Sequence, residues 1–200
     1  MNKIITIGRE FGSGGRELGR KLAEILGFEF YDKEIVSEIA KKTEFSESYV
    51  HQVLESSPHD LFPITVAHSF SYMDTHAVMQ QQSIFVRQQE VLKEMAEKSN
   101  CVIVGRCADY ILDEYKPLKI FVYANMETKI KRCRERTDDI TNVKDKRLKK
   151  MIKSIDKNRA RYYSYYTGKK WGDKLSYDVL VNTTNADIEN IAKNLAGLVK

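Results

Sequence analysis

Ile4-Ile5-Thr6-Ile7-Gly8-Arg9-Glu10-Phe11-Gly12-Ser13-Gly14-Gly15-Arg16-Glu17-Leu18 decides how the rest of the chain is read. Its first residues are β-branched and continuous rather than alternating, a pattern that suits a strand buried on both faces. Four glycines follow within positions 8–15. Leu18, Leu22, Ile25 and Leu26 then recur at helical spacing, and Gly27 supplies a helix stop. Strand, glycine turn and helix in this order open an α/β domain.

The alternation continues outward. Phe28–Tyr31, Cys101–Val104, Leu118–Tyr123 and Val179–Val181 read as further short strands. Lys33–Lys42, Ser46–Glu55, Gln80–Lys98, Ala108–Glu114, a long basic stretch to about Tyr166, and Ala186–Val199 read as helices. Ser56–Met79 carries Pro58, Pro63 and several Ser and His residues, so turns and a mobile stretch are expected there. Strands alternating with helices predict a parallel sheet with helices on both faces. Such sheets bind ligands at the carboxyl ends of their strands. The glycine turn, Asp32 and Arg106 fall at such ends.

Glycines between a strand and a helix let successive backbone N–H groups curl around an anion, and the helix dipole adds positive potential. Two literal patterns fail. A dinucleotide GxGxxG begun at Gly12 needs glycine at position 17, which is Glu17. Against GxxxxGK[ST], the lysine place holds Gly15 and Arg16 comes one residue late; with Arg16 taken as the cation, Glu17 follows it where a hydroxyl residue would bind Mg²⁺. A phosphate cradle with Arg16 in place of lysine is the expectation.

Charge and composition narrow the partners. The 200 residues carry a net charge of +5, yet Lys129–Lys174 alone holds 17 basic and 6 acidic residues. The remainder is therefore net acidic, and a local excess of this kind suggests an anionic partner. Arginine suits phosphate because its planar fork binds two oxygens at once. Three scattered cysteines, Cys101, Cys107 and Cys133, do not make a disulfide framework or a CxxC zinc site. The apolar runs are far shorter than the roughly 20 residues of a membrane span. The first residues lack the longer apolar core of a secretory signal. A cytoplasmic protein with no membrane partner is expected.

At this level of detail the chain resembles the cytidylate kinase-like proteins, a branch of the P-loop nucleoside monophosphate kinases. The likeness runs through Arg9–Glu17, Lys21-Leu22-Ala23, Leu26-Gly27 and Tyr31-Asp32-Lys33-Glu34. It continues through Val102-Ile103-Val104-Gly105-Arg106, Lys119–Ala124 with Arg132, and Asp156-Lys157-Asn158-Arg159. Tyr162-Tyr163, Trp171, Tyr177-Asp178 and Asn182-Thr183 look typical of the branch itself. Two departures stand out. Val104 replaces an Asp of true cytidylate kinases, and no Ser or Thr follows Arg16.

The resemblance implies a three-layer P-loop kinase fold in a single domain over residues 1–200. A central five-stranded parallel sheet would carry a helical acceptor-binding insertion at 33–98 and a basic helical lid at 129–174. It implies phosphoryl transfer from ATP, with Mg²⁺, to a nucleoside monophosphate or related small acceptor. Gly12, Ser13, Gly14, Gly15, Arg16, Glu17 and Arg132 would form the ATP side. Asp32, Arg87, Arg106, Asp156 and Arg159 would face the acceptor. Arg161 is a further acceptor candidate, although two positions beyond Arg159 a helix turns it to another face. Arg16, Arg106 and Arg159 would act in catalysis. Glu17 is the candidate metal ligand, and Asp32 and Asp109 are the nearest other carboxylates.

Two other functions fit parts of the chain. Glu17 and Val104 suit a nucleotide-binding regulator without turnover. Arg161-Tyr162-Tyr163-Ser164-Tyr165-Tyr166 mixes basic and aromatic residues as single-strand RNA binders do. Helical spacing makes packing under a lid the simpler account of those tyrosines, so no nucleic-acid partner is expected. His51, His59, His68 and His76 are spaced too widely for a helical metal site and read as surface or packing residues. Cys107 reads as a packing residue. Oligomeric state leaves no mark in the sequence.

Overall fold

Ile4 faces one side of the sheet while Ile5 and Ile7 face the other, because successive residues of β1 (Ile4–Arg9) alternate. That alternation makes two cores and hence three layers. The computed structural model describes residues 2–56, 75–136 and 143–199. Within them, β1 leads through the glycine turn to α1 (Gly15–Leu26), then β2 (Glu29–Tyr31), α2 (Glu34–Lys41) and α3 (Glu47–Glu55). Next come α4 (Thr75–Lys98), β3 (Cys101–Val104), α5 (Ala108–Ile111) and β4 (Leu118–Tyr123). The chain closes with α6 (Met126–Arg136), α7 (Asp145–Thr167), β5 (Val179–Asn182) and α8 (Ile188–Ala196).

The five strands are parallel in the order β2-β3-β1-β4-β5. Ile4 pairs with Cys101 and Ile5 with Leu118, so β1 is central. One face packs Ile5, Ile7, Val102 and Val104 against Leu18 and Leu22 of α1 and Leu195 of α8. The opposite face packs Ile4 and Ile103 against α2, α4 and the buried Tyr162 and Tyr163 of α7. β1 connects to its left across β3 and β3 connects to its right, so the crevice at their carboxyl ends is the switch point where ligands bind.

The expected fold class is the one observed, with local differences. β1 extends to Arg9, two residues beyond the apolar run, because its ladder with β4 continues to Arg9 opposite Val122. The stretch expected to be helical over Ala108–Glu114 is a short α-helix followed by a 3₁₀ turn at Asp113–Tyr115. The basic region is two helices, α6 and α7, rather than one. Of the turn expected at Ser56–Met79, residues 75–79 are helical, as the first turns of α4. Residues 57–74, with His59 and His68, lie outside the described residues. Among the described residues no helix is long and apolar enough to cross a membrane.

Candidate active site at the carboxyl ends of β1 and β3

The phosphate-binding geometry begins with backbone. Gly12 and Gly14 take φ of 75° and 84°, the left-handed region that side chains disfavour, and Gly14 caps the amino end of α1. At Gly15 the restriction is space, since a Cβ there would sit 2.5 Å from the Cβ of Arg9. The turn is braced from inside. Ser13 is fully buried, and its hydroxyl donates to the Glu10 carbonyl at 2.8 Å. Arg132 Nη1 donates to the Ser13 carbonyl at 3.0 Å and to Thr183 Oγ1 at 2.9 Å, while its Nη2 donates to the Thr183 carbonyl at 2.9 Å. The turn is thereby fixed at the amino end of the twelve-residue α1, which is where an anion is favoured.

Arginines close the other walls. Arg16 Nε lies 2.6 Å from Asp32 Oδ2, and Arg9 Nη2 lies 3.7 Å from Asp32 Oδ1. Glu55, the last residue of α3, takes Arg106 Nη2 at 3.4 Å and Arg159 Nε at 3.2 Å. Arg9, Arg16, Arg106 and Arg159 thus share two carboxylates, and positive charge is left over. The cost of gathering them shows in Arg9. Burial, and after it the like charges of Arg159 and Arg106, pull its guanidinium down to about 9. Burial opposes ionisation of Glu55, but the field of Arg159, Arg106 and Arg9 outweighs it and holds the carboxyl below the usual range. Arg106 Nε is buried without a hydrogen-bond partner among the described residues. An incoming anion would relieve each of these imbalances.

Arg106 is held by its backbone as much as by Glu55. Gly105, Arg106 and Cys107 all have positive φ, at 77°, 58° and 53°. Backbone in this region is stored strain that its surroundings must maintain. Gln88, fully buried on α4, donates to the Arg106 carbonyl at 2.9 Å and accepts from the Tyr162 hydroxyl at 3.2 Å. Behind the arginines lies a smaller cavity of about 40 Å³, reached by Asp109, Tyr163 and Tyr177. Asp109 accepts from the Tyr163 hydroxyl at 2.6 Å, and burial raises its pKa.

The main cavity measures about 680 Å³, a volume usual for small-molecule sites. Gly12, Gly14, Gly15, Arg16, Asp32, Arg106, Arg132 and Arg159 line it, with Ser13 buried beneath. Four other sequence candidates do not line it. Arg87 pairs with Glu90 at 2.8 Å on the exposed side of α4, and Arg161 is exposed on α7. Glu17 lies in the first turn of α1, away from the lining. Asp156 turns to the phosphate loop, accepting from Phe11 N–H at 2.7 Å. Asp109, weighed as a further carboxylate, faces Tyr163 instead of the main cavity.

Sequence reasoning did not select Arg9, Glu55 or Gln88. Arg9 carried one usable signal, its place at the carboxyl end of the first strand. His51, read as a surface or packing residue, lines the cavity. Cys107 is the buried packing residue expected, and burial pushes its thiol up. Tyr162 and Tyr163 are buried in the core, and Tyr166 stacks on Phe85 with ring centroids 3.9 Å apart. Their rings are thereby withdrawn from base stacking.

The glycine cradle and its arginines fit a nucleotide phosphate chain. They do not fit a metal held by protein ligands. Asp32 and Glu55 are both committed to guanidiniums, and among the described residues no group of three or more His, Cys, Asp or Glu side chains is gathered for a metal. Mg²⁺ commonly relies on one or two carboxylates plus substrate phosphates, so phosphate oxygens would have to provide most of its ligands here.

The model of the cytidylate kinase-like family matches residues 4–185. Among solved structures, an uncharacterized protein from Eubacterium ventriosum ATCC 27560 shares 30% identity at a TM-score of 0.72, over 99% of this chain and 98% of that one. Shikimate kinase from Bacteroides thetaiotaomicron has 17% identity and a TM-score of 0.57, over 98% and 97% of the two chains. Shikimate kinase from Acinetobacter baumannii, in complex with shikimate, has 17% identity and a TM-score of 0.55, over 100% and 93%. The last two are likenesses of fold, that of the P-loop kinases. No curated protein matches the chain.

Proposed function

The chain belongs to the cytidylate kinase-like family, and on that premise we propose that it transfers the γ-phosphoryl group of ATP to a nucleoside monophosphate or a related small acceptor. The observation that carries this reading is the surplus of guanidinium charge beside a glycine cradle: Arg9, Arg16, Arg106 and Arg159 against Asp32 and Glu55. In this reading Gly12, Ser13, Gly14, Gly15 and Arg16 receive the ATP phosphates. Arg106 and Arg159 receive the acceptor phosphate, with residues 33–98 forming the acceptor wall and residues 129–174 the lid. ATP would supply the phosphoryl group, and Mg²⁺, held mostly by phosphate oxygens, would stabilise the leaving group.

Phosphoryl transfer asks the protein for alignment and charge neutralisation rather than a covalent intermediate. An acceptor oxygen bonds to the γ-phosphorus as the bond to the β–γ bridging oxygen breaks. Negative charge spreads over the equatorial oxygens, and the arginines between the two sites are positioned to meet it. The Arg106 side chain, only 7% exposed, gains most from this, because low dielectric weakens a field less than water does.

The test is product formation from ATP and each nucleoside monophosphate, cytidylate first. Wild-type protein is expected to make ADP and a phosphorylated product. Arg106→Ala should lower kcat/KM by about 10³-fold, in the range of a transition-state arginine, with unchanged circular dichroism. A second reading, nucleotide binding without turnover, is favoured by the 2.6 Å pairing of Arg16 with Asp32 and by Glu17 in the hydroxyl's place. ATP binding with no product from any acceptor would select it.

A further inference from the structure

We infer that Glu10, Lys129 and Asp156 form a buried latch that positions the phosphate loop, and that Asp156 serves the ATP side of the site rather than the acceptor. Lys129 lies on α6 and is only 4% exposed. Its ammonium reaches Glu10 Oε2 at 2.7 Å and Asp156 Oδ2 at 2.9 Å. A lone buried ammonium is strongly disfavoured, and two carboxylates from separate segments offset that.

Asp156 has both of its oxygens occupied, while one Glu10 oxygen takes two donors. Asp156 Oδ1 accepts from Phe11 N–H at 2.7 Å, and Glu10 Oε2 also accepts from Ala124 N–H at 3.3 Å. The ammonium therefore ties together the phosphate loop, α6, α7 and the end of β4. Contact is close throughout, since a Cβ on Gly12 would meet the Lys129 carbonyl at 3.1 Å. An acceptor ligand needs an oxygen turned into the cavity. Both oxygens of Asp156 are turned to Lys129 and Phe11, and Asp156 does not line the cavity.

The latch also connects the two sides of the site. Arg159 follows Asp156 on α7 by three positions, less than one helical turn. It pairs with Glu55 on the acceptor side, and its guanidinium lies 5.6 Å over the Phe11 ring. Phe11 is thus gripped at its N–H by Asp156 and at its ring by Arg159. A shift of α7 that moves Arg159 must also move the loop.

The exchange arm of the test rests on geometry alone, whereas the ATP-binding and kinetic arms rest on the kinase reading. Asp156→Ala, Asp156→Asn and Lys129→Met would be compared with the wild type. ATP affinity would be measured by calorimetry without acceptor, and amide hydrogen exchange across residues 9–16 by mass spectrometry. With an acceptor in hand, KM would be taken separately for each substrate. Asp156→Ala is expected to weaken ATP at least tenfold, to speed exchange in the loop selectively, and to leave the acceptor KM within twofold. Asp156→Asn keeps an oxygen for Phe11 N–H and should recover most of the loss.

A rise in acceptor KM with unchanged ATP affinity would overturn the inference and return Asp156 to the acceptor. Unchanged exchange in the loop of Asp156→Ala would overturn it as well. Should Lys129→Met fail to fold, the two Asp156 variants carry the test. Should wild type bind no ATP, the kinase reading falls, and loop exchange still decides the latch.

Discussion

Glu55 accepts Arg106 at 3.4 Å and Arg159 at 3.2 Å, and its side chain remains about a quarter exposed. Its folded pKa lies below the unfolded value because the arginines outweigh burial. The sign follows directly. Stability from this carboxylate is fully present above the unfolded glutamate range and is lost as pH falls through the lower folded value. Glu55→Gln should therefore lower stability by about 1–3 kcal/mol at pH 7, the scale of charge-assisted hydrogen bonds. The gap from wild type should shrink on acidification below the glutamate range. Urea melts at both pH values read this out, and a gap that is independent of pH would contradict it. Asp109 has the opposite sign, since burial raises its pKa and its ionisation in the fold works against stability at neutral pH.

Among the elements, the turn after β3 does the most for the site. A Cβ on Gly105 would lie 1.6 Å from Arg9 Nη1, and Gly105 itself has a φ of 77°. Gly105→Ala should displace the Arg9 guanidinium and strain the backbone, weakening phosphate or ATP binding more than tenfold. Calorimetry on folded variant protein checks this, and unchanged affinity would show that Arg9 is dispensable. Arg9 is also where legibility in the sequence ends. β1 and β3 were readable because strands buried on both faces need continuous apolar runs, β4 by its Ile120–Val122 run, and α1 because Leu18 and Leu22 repeat before Gly27. Gly12–Arg16, Asp32 and Arg106 were readable as residues at strand ends, and Arg159 through its motif. Glu55 was not, because it closes an amphipathic helix whose spacing says nothing of arginines 51 and 104 residues away. Arg87 and Arg161 were readable as arginines on helices, but only packing decides which face meets the cavity. The start of α4 at Thr75 was missed because the residues before Gln80 carry no apolar helical repeat.

At the scale of the whole molecule, the two cores clamp the sheet from both sides while like charges collect at its carboxyl edge. An apolar scaffold of this kind bears the repulsion, and an anion at the edge should return stability to the fold as a whole. ATP or inorganic pyrophosphate at 100 times its Kd should add about 2.7 kcal/mol. For a chain of this size that is roughly 5–10 °C in Tm. Scanning calorimetry with increasing ligand checks it, and a Tm indifferent to both ligands would remove the anion site altogether. The same experiment on Arg106→Ala should give a smaller shift.

Arg132 and Thr183 hold the Ser13 carbonyl from α6 and from just beyond β5, with Thr183 lying 170 positions further along the chain. That brace has a consequence for synthesis. At about 5–20 residues per second, a ribosome needs roughly ten to thirty seconds to travel from Ser13 to Thr183. Through that interval the nascent glycine turn lacks the contacts that shape it, so its capacity to hold an anion should emerge abruptly, only once Thr183 has left the exit tunnel.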